Sequence, residues 1–96
     1  MTRDQALAIL EAHREELKDL RVKSIAIFGS VARDEAGPNS DVDVLVEFNR
    51  PAGLFAVVRL RRYLERILGT KVDLATPGAL RPQMREHILK EAVRAA

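Results

Sequence analysis

The stretch Asp41-Val42-Asp43-Val44-Leu45-Val46-Glu47-Phe48 alternates acidic and apolar side chains at a period of two. Successive side chains of a β-strand point to opposite faces, so Val42, Val44, Val46 and Phe48 share one face while Asp41, Asp43, Leu45 and Glu47 share the other. An apolar face of this kind has to be covered by another layer. The chain is thereby held to a sheet with a core on one side and acids on the other.

The rest of the chain supplies the covering layers. Thr2 and Gln5 form a capping-box pattern, and Leu7, Leu10, Leu17 and Leu20 recur at helical spacing, so a helix is expected from about residue 3 to 20. Val22 to Phe28 reads as a strand that stops at Gly29-Ser30. A short polar stretch follows and closes in the loop Ala36-Gly37-Pro38-Asn39-Ser40. After Pro51, residues Gly53 to Leu68 form an amphipathic helix with Leu54, Val57, Val58, Leu60, Leu64, Ile67 and Leu68 apolar and Gly69 as its cap. Its other side carries Arg59, Arg61, Arg62 and Arg66, expected to be a solvated face. Thr70 to Thr76 is a third strand, broken by Pro77-Gly78. A last helix is expected from about Pro82 to Ala95, burying Met84, Ile88, Leu89, Ala92 and Val93. His13 and His87 read as helix-surface residues, and Tyr63 as a packed ring with its hydroxyl at the surface. There is no internal repeat or long linker.

With 96 residues the chain is expected to form one domain, residues 1–96. A composition of 47% hydrophobic and 31% charged residues is that of a folded globular protein. A net charge of +2, its basic and acidic residues intermixed, argues against nucleic acid as the principal partner. The absence of cysteine excludes a disulfide, a thiolate nucleophile and a zinc finger. No apolar run is long enough for a membrane span, and the first residues lack a signal-peptide core, so the expected location is cytoplasmic.

Gly29-Ser30, Asp41 with Asp43, and Asp73 all fall at strand ends or on one strand face, and they can converge. Residues two apart on a strand are about 7 Å apart, so Asp41 and Asp43 can lean onto cations roughly 3.5 to 4 Å from each other. Crowded carboxylates raise one another's pKa unless a cation neutralises them, and all-oxygen ligands favour Mg²⁺ over zinc. Gly29 lets the backbone pass close to a ligand, and the amides of a strand-to-helix turn at Ser30 are aimed at phosphate. These parts suit phosphoryl-type transfer, in which the protein chiefly positions a triphosphate and no nucleophilic side chain is required. Glu47 continues the acidic face but lies too far along it to join the metals.

Gly29-Ser30, ten intervening residues, then Asp41-Val42-Asp43 resembles the GS-x10-DxD signature of the nucleotidyltransferase superfamily related to DNA polymerase β. The similarity runs across nearly the whole chain. Ser24-Ile25-Ala26-Ile27-Phe28-Gly29-Ser30-Val31-Ala32-Arg33, Lys71-Val72-Asp73-Leu74 through Leu80-Arg81-Pro82, and Ile88-Leu89-Lys90-Glu91-Ala92-Val93 look like the minimal nucleotidyltransferase (MNT) family of antitoxin type. The resemblance implies an α/β (α+β) fold, a small mixed sheet of three to four strands with helices packed against it, similar to the palm of polymerase β. It implies that Asp41 and Asp43 bind Mg²⁺, that Asp73 is the third carboxylate and activates the attacking hydroxyl, and that Gly29, Ser30 and Arg33 hold the nucleotide phosphates. It further implies a HEPN-domain toxin as partner in a hetero-oligomer, silenced by transfer of AMP from ATP to a hydroxyl, expected to be a tyrosine's.

Two other readings stand beside this one. In the first, the same chemistry is directed at a small molecule or RNA. Relatives of that kind carry a further helical domain to grip the acceptor, and these 96 residues leave none to build it. In the second, the chain is a nucleotide-binding module that neutralises its partner by occlusion, against which the intact acidic triad argues.

Overall fold

The computed structural model describes residues 1–35, 37 and 41–95. The expected loop at 36–40 lies, apart from Gly37, outside the described residues. The helices are α1 (Arg3–Ala12), α2 (Arg14–Asp19), α3 (Gly29–Ala32), α4 (Leu54–Leu68) and α5 (Pro82–Glu91). The strands are β1 (Val22–Phe28), β2 (Val42–Phe48), β3 (Val72–Ala75) and β4 (Val93–Arg94), and a 3₁₀ turn occupies Pro77–Ala79. The sheet order is β3-β2-β1-β4; β1 is antiparallel to β2 and to β4, and β2 runs parallel to β3. The parallel pair is joined through α4, as a parallel connection requires a crossover. The architecture is α+β with a mixed four-stranded sheet.

The capping box forms as expected: the Thr2 hydroxyl accepts from the Gln5 amide at 3.1 Å, and the Gln5 side chain accepts from the Thr2 amide at 3.0 Å. The single helix expected over 3–20 is instead broken at His13. There the His13 amide donates to Leu10, three residues back, and His13 Nδ1 donates to the Ile9 carbonyl at 2.7 Å. A side chain that takes a helix carbonyl competes with the ladder and bends the helix. The break lets both halves deliver their leucines, Leu10 and Leu17, to one core.

That core lies on the valine face of β2. Val42, Val44 and Val46 are completely buried with Ile25 and Ile27 of β1, Leu10 of α1, and Leu60 and Leu64 of α4. Each such side chain contributes about 1.5 to 3 kcal/mol on leaving water. Across the ladder Ile25 lies opposite Val46 and Ile27 opposite Val44. A register shift between Val22 and Ser24 marks a bulge, which is why Val22 shares the buried set although its parity is wrong for Ile25. Gly69 ends α4 in the left-handed region at φ +70°, as its position in the sequence predicts.

Three expectations about packing are corrected. Leu54, placed on the buried side of α4, is exposed together with its neighbour Phe55, because the buried stripe of α4 begins only at Leu60. Met84 and Leu89, placed on the buried side of the last helix, are also exposed; of α5 only Ile88 is buried. The last helix itself stops at Glu91 rather than Ala95. Ala92 turns extended, Val93 and Arg94 pair with Ile27 and Ala26, and the Ala95 amide donates to Ile25 at 2.8 Å. Otherwise the outer edge of β1 would present unpaired backbone groups, so edge pairing wins over further helix.

Tyr63 departs from expectation too. Its ring packs edge-on to His13 at 6.2 Å between centroids and lies under the Arg66 guanidinium at 5.3 Å. Its hydroxyl is buried, with no hydrogen-bond partner among the described residues. Arg59, Arg61, Arg62 and Arg66 are exposed, as a solvated face should be. No described helix is long and apolar enough to cross a membrane.

Candidate active site

The site is built where β1 ends against the middle of the sheet. Phe28, the last residue of β1, lies opposite Asp43 of β2, and Asp43 in turn lies opposite Asp73 of β3. Neighbouring strands are about 4.8 Å apart, so the shared register sets the two carboxylates side by side on the face away from the valine core. Asp41 stands just before β2, exposed, and Asp73 is exposed while Asp43 is half-buried. The sequence spacing thus brings Asp43 and Asp73 together through strand pairing, with Asp41 adjoining them.

Gly29 turns the chain immediately beside this pair. Its φ is +71°, in the left-handed region that favours glycine, and it begins the short helix α3. A Cβ placed on it would stand 2.1 Å from Oδ2 of Asp43, so the Asp43 carboxylate occupies the space that any side chain at this position would need. Two requirements therefore meet at Gly29, a conformation and a close approach. The opening amides of a helical turn have no intrahelical acceptor, and Ser30, partly exposed, adds its hydroxyl to that end of the molecule.

The electrostatics follow from this crowding. The Asp43 carboxyl is pushed above the usual carboxylate range, chiefly by burial, then by the charges of Asp73 and Asp41; Arg33 pulls it back and Glu91 pushes it further up. Arg33 lies just past α3, its amide donating to the Gly29 carbonyl at 3.2 Å. Its guanidinium donates through Nε to Glu35 at 3.1 Å and through Nη1 to Glu91, and these bonds hold it still more firmly in its charged form. Arg33, expected to help hold the phosphates, is engaged by two carboxylates.

Glu91 is the residue that sequence reasoning passed over. It ends α5, 58 residues from Arg33, and its side chain is only 16% exposed. Its place within the segment Ile88 to Val93 was legible, but nothing local distinguishes it from any other glutamate near the end of a helix. Glu47, expected to lie clear of the metals, is exposed and pairs with Lys23 at 4.0 Å. A groove of about 570 Å³ at the other end of β2, lined among others by Glu47, Arg50, Thr76 and Arg85, stands apart from the acid pair.

Among the described residues no group of three or more acids or histidines is gathered tightly enough to grip a metal ion as it stands. The chemistry of the donor set nevertheless fits a hard divalent cation. It is all carboxylate oxygen, its half-buried member carries a charge its neighbours resist, and a cation would relieve that repulsion.

The profile of the nucleotidyltransferase domain family matches residues 10–95. The protein adenylyltransferase MntA of Thermococcus cleftensis is 38% identical over 94 residues, spanning 97% of this chain and 95% of that one. A solved structure assigned as a minimal nucleotidyltransferase superposes with a TM-score of 0.84 at 36% identity, over 97% of this chain and 95% of that one. The fold, though not a close sequence, is also shared with a chain in the complex of a tri-AMPylated HEPN toxin with an MNT antitoxin from Shewanella oneidensis. There the TM-score is 0.67 at 18% identity, over 94% of this chain and 71% of that one. Acid pair, glycine turn and family match agree across the length of the protein: the chain belongs to the nucleotidyltransferase domain family, as one of its minimal members, and its enzymatic class is nucleotidyl transfer.

Proposed function

We propose that this protein transfers AMP from ATP to a hydroxyl, preferentially a tyrosine's, of a HEPN-domain toxin, in the presence of Mg²⁺, and so acts as the antitoxin of a toxin-antitoxin pair in the cytoplasm. The observation that carries the proposal is the pairing of Asp43 with Asp73 directly beside the Gly29 turn. The partner is suggested by two similarities: to a protein adenylyltransferase, and in fold to a chain of an MNT–HEPN complex.

Each residue has a definite task. The turn at Gly29 and Ser30 receives the phosphates, its amides and hydroxyl donating to their oxygens. Arg33 offsets their negative charge from α3's far end. Asp41, Asp43 and Asp73 would hold Mg²⁺, which when bound neutralises the charge of the triphosphate and of the departing pyrophosphate. Asp73, exposed at the edge of the pair, accepts the proton of the attacking hydroxyl. That oxygen forms a bond to the α-phosphorus as the bond from the α-phosphorus to the bridging oxygen breaks, and pyrophosphate leaves with the bond's electrons.

Incubating the protein with labelled ATP, Mg²⁺ and its HEPN partner should label the partner, and Asp43→Ala should label nothing. An unlabelled partner with the wild-type protein would refute the proposal. Neutralisation of the toxin in cells by Asp41→Ala at wild-type strength would point instead to occlusion.

A further inference from the structure

Arg33 and Glu91 form a link in the site across 58 residues of sequence, and its geometry bears on how ATP is recognised. Arg33 is anchored at both ends: its amide bonds to Gly29, the residue that makes the phosphate turn, and its guanidinium bonds to Glu35 and Glu91. The two acids are not equivalent. The Glu35 side chain is 66% exposed and the Glu91 side chain 16%, so Glu91 is the better shielded from water and the firmer partner. An arginine presents five N–H groups in a planar fork. With Nε and one N–H of Nη1 taken, the others have no partner among the described residues and can serve an anion in the plane that the two acids set.

We infer that Glu91 is a positioning residue for nucleotide binding: it fixes the Arg33 guanidinium at the end of the short helix that Gly29 and Ser30 begin. The inference rests on the transferase reading above for the identity of the ligand. Glu91 touches no reacting atom, and its effect passes through Arg33.

The test is a double-mutant cycle on Arg33→Ala, Glu91→Gln and the pair, with Glu91→Asp as the conservative control. Two quantities are read for each: the Kd for a fluorescent ATP analogue with Mg²⁺, and kcat and KM for labelling of the partner. Circular dichroism and thermal melting confirm that each variant is folded. Glu91→Gln should raise Kd and KM about tenfold, the size of one lost charge-assisted hydrogen bond, while kcat changes by less than about twofold. Glu91→Asp, which keeps the charge, should recover part of the loss. On the Arg33→Ala background, Glu91→Gln should add nothing.

Unchanged Kd in Glu91→Gln would overturn the inference, as would an equal further loss on the Arg33→Ala background. If Glu91→Gln does not fold, Glu91→Ala replaces it: wild-type Kd and KM in that variant would overturn it. A wild-type protein that binds the analogue but labels no partner would break the proposed function, and the binding cycle would still decide the role of Glu91.

Discussion

The two faces of β2 share one backbone and differ in everything else. On one face Val42, Val44 and Val46 are fully buried under α1 and α4, in contact with Ile25 and Ile27 across the ladder. On the other, Leu45 is buried near Leu89 of α5 and Ala92 just past it, around a cleft of about 240 Å³, while Glu47 is exposed and Asp43 remains half-buried beside Asp73. The covered face stabilises the fold and tolerates no charge. The open face holds like charges next to each other, an arrangement that opposes folding, and it can do so because the strand is already secured from behind. Stability and chemistry are thus separated by the thickness of a single strand.

The separation is broken most severely at Asp43. Asp43→Ala should lower transfer by about a thousandfold or more, in the range lost when a transition-state charge partner is removed, while urea titration finds a protein at least as stable as the wild type. A destabilised variant would show that the acid face also holds the fold together.

Leu64→Ala attacks the covered face. It should cost about 2 to 5 kcal/mol in denaturant unfolding, because a cavity opens in the core that Leu64 shares with the β2 valines, while activity per folded molecule stays close to wild type. A specific loss of activity at full stability would mean that the two faces are coupled.

Gly29→Ala joins both effects. The new methyl would meet the Asp43 carboxylate and demand a disfavoured φ, so stability should fall by about 1 kcal/mol or more and transfer should fall with it. Wild-type transfer in this variant would show that the turn has room the structure does not display.

The pH dependence is smaller but has a definite sign. Asp43 titrates above the usual carboxylate range when folded, so between the ordinary value and the raised one the native state binds a proton that the unfolded state has lost. Stability should therefore fall as pH rises through that window. Asp43→Asn should remove this component of the slope, and Mg²⁺ should stabilise the wild type at neutral pH more than the variant; urea midpoints measured against pH check both. A slope that survives in Asp43→Asn would place the repulsion elsewhere.

Much of this comparison is legible along the chain. The valine parity of β2, the caps of α1 and α4, and the spacing from Gly29-Ser30 to Asp41 and Asp43 are all short-range patterns, and each has a counterpart in the structure. Asp73 was placed on the right strand and parity, and strand register then set it opposite Asp43. The break at His13 was hidden, since the leucine period continues across it. The exposure of Met84 and Leu89 was hidden because an apolar period says that a face exists and not whether anything covers it. Tyr63 misled for a related reason: a polar tip is expected at the surface, and only the packing of α4 against the break at His13 buries it.

The sequence by itself determined which residues share a face, where the helices around the sheet begin, and which acids could reach a phosphate turn. These depend on backbone period and on caps, interactions a few residues long. The tertiary structure alone decided that the last residues form an edge strand on β1, and that Glu91 reaches across to grip Arg33. Both turn on groups far apart in the chain. The free edge of β1 and the charge of Arg33 exist as demands only once the sheet has been assembled, and they are met by whatever the end of α5 then brings within reach.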